Sequence, residues 1–133
     1  PIPWTIDGEH ESGHGWPTRP WLPFPVNEST HAAEAQVGRP QSKHALYRNL
    51  LALRRQREVL RSGDMEISPS DGGLLRFRRT RADDTVTVLV NLGDADIAWP
   101  DDLTDAALLV GSDPQRTTVG GSLGAAEAVV LVP

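Results

Sequence analysis

The chain has 133 residues, a formal net charge of −5 and no cysteine. A hydrophobic share of 38% and a charged share of 23% exclude a wholly disordered chain and leave room for one modest core. The acidic balance argues against nucleic-acid or anionic-lipid partners, no apolar run approaches the roughly 20 residues of a membrane span, and the lack of thiols fits a cytoplasmic, reducing compartment.

Residues 1–40 show neither helical nor strand periodicity. X-Pro steps at Trp16-Pro17, Arg19-Pro20, Leu22-Pro23 and Phe24-Pro25 force extended or turn conformations. Three of the four tryptophans, Trp4, Trp16 and Trp21, lie here. A solvated linker gains nothing from indole rings, so a loop of this length is expected to be functional or held by a neighbour.

The stretch QSKHALYRNLLALRRQREVLRSG predicts one amphipathic helix of roughly five to six turns. Ser42 is its N-cap. Ala45 stands where a capping box would want Glu or Gln, so only the simple cap is expected. Leu46, Leu50, Leu53 and Leu60 form the apolar stripe, widened by Tyr47 and Leu51. Arg57 and Arg61 suit the C-terminal end of the helix dipole, and Gly63 is a natural residue to follow the helix end.

From residue 64 the pattern changes to strands. LLRFRRT and TVTVLVNL flank the polar turn RADD, which reads as a hairpin. Val86, Val88 and Val90 fall on one face of the second run, and Thr85, Thr87 and Leu89 on the other, as in a central strand. DIAW, AALLV and EAVVLV add short strands, and GSDPQ and GGSLG read as turns. Strands at this spacing predict an antiparallel sandwich, with Trp99 in its core.

PIPW, GHGW, PWLPF, the helix from Ser42 to Arg54, VTVLVNLGD and AAEAVVLVP, in that order, resemble the C-terminal part of α-glucosidases of the α-amylase superfamily (glycoside hydrolase family 13; oligo-1,6-glucosidase or trehalose synthase-like). Two features depart from that family: Trp16 stands where it often has Phe, and ESTHAA separates Asn27 from Gln36. The resemblance implies an α+β chain. Residues 1–63 would be the end of a (β/α)₈ barrel, namely the eighth-strand loop and final helix. Residues 64–133 would be an antiparallel C-terminal β-sandwich domain. It implies that the nucleophile Asp, the acid/base Glu and a stabilising Asp lie in a preceding barrel portion, with no catalytic residue in this chain. The helix stripe and the loop tryptophans would then pack on that barrel. The substrate class implied is an α-glucoside oligosaccharide.

Candidate chemistry within the chain is limited. Asp7, Glu9, Glu11 and Glu28 are the loop carboxylates, but nothing in the sequence pairs two of them as glycoside hydrolysis requires. Trp4 and Trp16 are the candidate substrate-binding residues, because an indole face can stack on a sugar ring; packing is the alternative for both, and is favoured for Trp21. His10 and His14 have a spacing that makes metal ligands only on a helix, which Gly13 and Gly15 oppose. Asp7-Gly8-Glu9 is a weak cation motif. No metal or cofactor is expected. The arginine-rich helix reads as a solvated face, and GGSLG lacks the lysine and strand-to-helix context of a phosphate loop. A free-standing carbohydrate-binding module with the loop tryptophans as its platform is the alternative function.

Overall fold

A computed structural model describes residues 1–7, 13–24, 27–69 and 72–133. The chain forms two units, Pro1–Arg48 and Asn49–Pro133.

In the first unit two single-turn helices, α1 (Glu28–His31) and α2 (Ala33–Gln36), appear where no regular element was predicted. A four-residue turn is too short to show periodicity. Each is instead held by specific bonds. Asn27 enters α1 in the left-handed region at φ 62°, which Asn tolerates better than most residues. The first amide groups of α2, at Ala33 and Glu34, donate to the carbonyls of Pro3 and Trp4 at 2.9 Å each. Those are donors that a helix start leaves without intrahelical partners.

Helix α3 (Lys43–Gln56) begins as expected: the Ala45 amide donates to Ser42 Oγ at 3.1 Å. It ends earlier than expected. The chain breaks at Arg57–Glu58 and resumes as a single turn, α4 (Val59–Ser62). The Arg61 guanidinium donates to the carbonyls of Arg54, at 3.1 Å, and Arg55, and Arg54 reaches the Leu60 carbonyl. Arg57 is drawn off to Asp84 at 2.6 Å. Guanidinium donors thus satisfy the last carbonyls of α3, and the arginines act through these bonds as well as through the helix dipole.

Gly63 directly follows the last helical residue, as expected. Its backbone is extended, at φ −70° and ψ 150°. Glycine is required there by close approach: a Cβ would stand 2.6 Å from the Val59 carbonyl oxygen and 3.0 Å from that of Thr80. Gly63→Ala is therefore expected to destabilise the protein by about 2 kcal/mol or more. A thermal melt superimposable on the parent's would show that the approach is not needed.

The second unit is built on a five-stranded sheet in the order β1-β2-β3-β7-β5, with every neighbouring pair antiparallel. The strands are β1 (Asp64–Ile67), β2 (Leu74–Arg81), β3 (Asp84–Asn91), β5 (Ala107–Gly111) and β7 (Ala128–Val132). A two-stranded ribbon pairs β4 (Ile97–Ala98) with β6 (Ser122–Leu123). GGSLG, read as a turn, therefore contains a short strand. The RADD hairpin is as predicted: Arg81 pairs with Asp84 around two residues, with Ala82 at φ 49°.

The central strand divides as the alternation requires. Leu89, opposite Val129, and Thr87, opposite Leu131, lie on one face. There Leu89, Val129 and Leu131 bury with Trp99 and Leu123 in the core, flanked by Ile97, Leu103 and Leu108. The small ribbon and the 3₁₀ turn at Asp101–Leu103 supply the second layer. Val86, Val88 and Val90 are on the other face, where only Val86 is fully buried. Leu50, Leu53 and Leu60 turn toward this face and, with Phe77, Val88 and Val130, line an apolar cleft of 270 Å³. These three leucines, expected to pack on a barrel outside the chain, thus meet the chain's own sheet, while Tyr47 and Leu51 stay exposed at 68% and 50%.

Two polar clusters lock the second unit. Asn91, 1% exposed, donates from Nδ2 to the carbonyls of Ala95 (2.8 Å), Leu123 (3.2 Å) and Gly124 (2.8 Å), and accepts from the Gly93 amide at Oδ1 (2.9 Å). The Arg116 guanidinium forms a two-pronged pair with buried Glu127 and donates to the Ser122 carbonyl at 2.6 Å. It also lies 5.3 Å from the centre of the Trp99 ring. Glu127 accepts from the Gly124 amide as well.

Candidate functional site

The tryptophan segment forms no regular element among the described residues and is held instead by backbone hydrogen bonds to His14. The amides of Trp4 and Thr5 both donate to the His14 carbonyl, at 2.9 and 3.3 Å, and the His14 amide donates to the Asp7 carbonyl at 2.9 Å. The chain turns through three successive positive φ values, 51° at Gly13, 52° at His14 and 79° at Gly15. Gly15 is confined further, since a Cβ there would lie 3.2 Å from Trp4 Cβ and 3.3 Å from Thr5 Cγ2. A non-glycine residue in this region costs about 1 kcal/mol or more, and the interactions of His14 offset that strain. Its ring is buried, its Nδ1 is 2.8 Å from the Thr5 carbonyl, and Phe24 meets it edge-on at 4.7 Å. A carbonyl only accepts, so Nδ1 carries the hydrogen.

The short helices brace this arrangement from behind. Glu34 Oε2 accepts from the Ile6 amide at 2.8 Å, and Ser29 Oγ donates to the Ile6 carbonyl at 3.2 Å. With the α2 amides on Pro3 and Trp4, the whole stretch from Pro3 to Ile6 is pinned.

Within this frame Trp4 is 51% exposed. Trp16 is half-buried, with its indole N–H donating to the Ile2 carbonyl at 2.7 Å. Both are thereby attached to one braced segment, and the Trp16 ring has its polar edge already engaged. Trp21 is 91% exposed, so the chain itself does not bury it. Of the candidate carboxylates, Glu9 and Glu11 lie outside the described residues, as do Gly8 and His10; the Asp7-Gly8-Glu9 motif and the His10–His14 pair are therefore not both-ended here. Among the described residues no group of three or more His, Asp or Glu stands close enough to hold a metal ion. No described helix is long and apolar enough to cross a membrane.

A cleft of 620 Å³ in the same unit is lined by Thr30, His31, Gln36, Arg39, Ser42 and Lys43 among others, and by neither Trp4 nor Trp16. Its polar groups bind one another: Gln36 Oε1 accepts from the His44 amide at 3.2 Å, and Ser42 Oγ lies 2.9 and 2.8 Å from the carbonyls of Gln36 and Arg39. That cleft is the cap of α3. Of the residues that hold the segment, Glu34 was not picked out in the sequence, and His14 was weighed only as a metal ligand. The one available signal was Gly13-His14-Gly15, a histidine between two residues that favour positive φ.

No family model matches the chain. A probable α-glucosidase from Rhizobium meliloti (strain 1021) is 35% identical over 75 residues, which are 56% of this chain and 14% of the relative. A variant of a trehalulose synthase, MutB, superposes with a TM-score of 0.81 over 100% of this chain and 25% of its own, at 24% identity. MutB from Pseudomonas mesoacidophila MX-45 superposes at 0.79 over 99% and 24%, at 21% identity. The chain resembles the C-terminal part of an α-glucosidase of the α-amylase superfamily. It spans about a seventh of the curated relative and a quarter of the solved ones, and its antiparallel sheet unit has the fold of their C-terminal domain.

Proposed function

We propose that this chain belongs to a glycoside hydrolase of the α-glucosidase type and supplies its C-terminal scaffold. The superposition of the entire chain on a quarter of trehalulose synthase MutB carries this reading. On this reading residues 1–63 complete a (β/α)₈ barrel, residues 64–133 form the domain beside it, and the working carboxyl pair stands in a preceding barrel portion. The reaction is a two-step exchange at an α-glucosidic carbon through a glycosyl-enzyme intermediate, resolved by water or by another sugar. Variants of MutB have been seen in complex with glucose and with the substrate sucrose, which supports an α-glucoside as the ligand class here.

Trp4 and Trp16 are the residues of this chain that would touch sugar. The half-exposed Trp4 ring on a pinned backbone supports that role, since a stacking platform works only if it is held in place. A cysteine-free chain suits a cytoplasmic enzyme. The test uses the chain alone and the longer protein that includes a barrel portion. With an aryl α-glucoside, the chain alone is expected to give no turnover, and Trp4→Ala in the longer protein to raise KM about tenfold with kcat less affected. Turnover by the purified chain would overturn the assignment of the carboxyl pair.

A further inference from the structure

We propose that the unit Pro1–Arg48 carries a binding site for a small molecule bearing a diphosphate, in the cleft that precedes helix α3. The cleft measures 620 Å³, within the roughly 300–1,000 Å³ usual for small-molecule sites. Its charged lining is His31, Arg39 and Lys43, with no aspartate or glutamate among the described lining residues. The chain as a whole has a formal net charge of −5, so a cleft lined by cations alone runs against the charge of the molecule.

The backbone that carries these cations is tied down. Gln36 Nε2 donates to the His31 carbonyl at 2.9 Å, while its Oε1 accepts from the His44 amide, which joins the end of α1 to the start of α3. The Arg39 and Ser42 amides donate to the carbonyls of Gln36 and Arg39 at 3.2 and 3.1 Å. Ser42 Oγ, within reach of the same two carbonyls, accepts from the Ala45 amide. Gln36 and Ser42 are thus engaged in the cap, and the points from which Arg39 and Lys43 project are fixed. The cations themselves are left over. His31, Arg39 and Lys43 have exposed side chains that form no ion pair among the described residues. Like charges gathered on one cleft repel one another, and an anion seated between them replaces that repulsion by attraction.

Charge and size select the ligand class. Arg39 and Lys43 are permanent cations and match two anionic centres, and the His31 ring donates from a nitrogen whether neutral or charged. A guanidinium takes a phosphate through two parallel bonds, and an ammonium takes it as a point charge. Each phosphate brings three acceptor oxygens and more than one charge, against two oxygens and one charge on a carboxylate. A single phosphate would fill only a small part of the cleft. A second phosphate and an organic remainder have room against Ala35 and Pro40, with the side chains of Thr30 and Gln41 as further polar contacts. The site uses neither Trp4 nor Trp16 and does not depend on the glycoside hydrolase reading.

The decisive experiment is calorimetric titration of the full chain with inorganic pyrophosphate at about 0.1 M salt, with orthophosphate and succinate in parallel arms. Saturable pyrophosphate binding is expected, at least about tenfold tighter than that of orthophosphate or succinate. Arg39→Gln and Lys43→Gln should each weaken it about tenfold, the loss of one charged contact, and Lys43→Arg should keep it. Arg48→Gln removes an exposed cation of the same unit that is not in the cleft lining, and should leave the affinity unchanged. All three positions are exposed, so these variants test the site without disturbing a core. Absence of saturation up to about 20 mM pyrophosphate, equal affinity for pyrophosphate and orthophosphate, or a loss with Arg48→Gln as large as with Arg39→Gln would each overturn the proposal.

Discussion

Asn91→Asp should destabilise the protein by about 4 kcal/mol at pH 7. The wild-type amide is buried and points its N–H groups at the carbonyls of Ala95, Leu123 and Gly124. A carboxylate there would set an anionic oxygen about 3 Å from carbonyl oxygens and leave those carbonyls without a donor. The Gly93 amide would still find an acceptor, so the loss is concentrated on the Nδ2 side. The sign of the pH dependence follows. The folded variant favours the protonated acid, which has one hydrogen to donate, so its folded pKa stands above the unfolded value of about 3.9. Its stability relative to the parent is therefore best below that value and is lost as pH rises through the folded pKa. Melting curves at pH 4 and pH 7 check both parts. A variant that melts with the parent at pH 7 would show that Asn91 does not hold the three carbonyls together.

Glu127→Ala is the second large effect, with an expected loss of about 3–5 kcal/mol in urea unfolding. Glu127 and Arg116 have only 5% and 14% of their side chains exposed. Removing the carboxylate strands the guanidinium and also strips the Gly124 amide of its acceptor. The hydrogen bond to Glu127 raises the Arg116 pKa against the effect of burial; even without it a guanidinium is too basic to lose its proton, so the stranded group remains a cation. Replacing both residues, as in Arg116→Met with Glu127→Leu, should recover most of the loss, because two charges are then no longer kept from water. If the double variant is no better than Glu127→Ala, bonds other than the ion pair hold this corner.

The sheet was legible wherever period-two alternation ran for eight residues. Val86, Val88 and Val90 opposite Thr87 and Leu89 located β3, its two faces and its central place. Asp64-Met65-Glu66-Ile67 alternates as cleanly, but four residues are too few to stand out beside a helix end. Ser42 announced the start of α3 because a cap is a local bond. The end of α3 was misread because guanidinium groups several residues away close it, and the close approach of Gly63 to Thr80 lies across the fold, out of reach of any local pattern. The candidate site shows the same division. Trp4 and Trp16 are visible by type, whereas His14 and Glu34 matter through partners nine and 28 residues distant, which no local pattern reports. The destination of Leu50, Leu53 and Leu60 was likewise a tertiary fact.

Strand β1 ends the five-stranded sheet with all four residues exposed, including Met65 at 58% and Ile67 at 59%. Its outer row of amides and carbonyls is a template onto which another copy's edge can zip. Asp64 and Glu66 oppose this by charge: two such edges laid together would gather four carboxylates into one ladder. Self-association through this margin should accordingly be guarded near neutral pH and released in mild acid or high salt, where carboxylate repulsion fades.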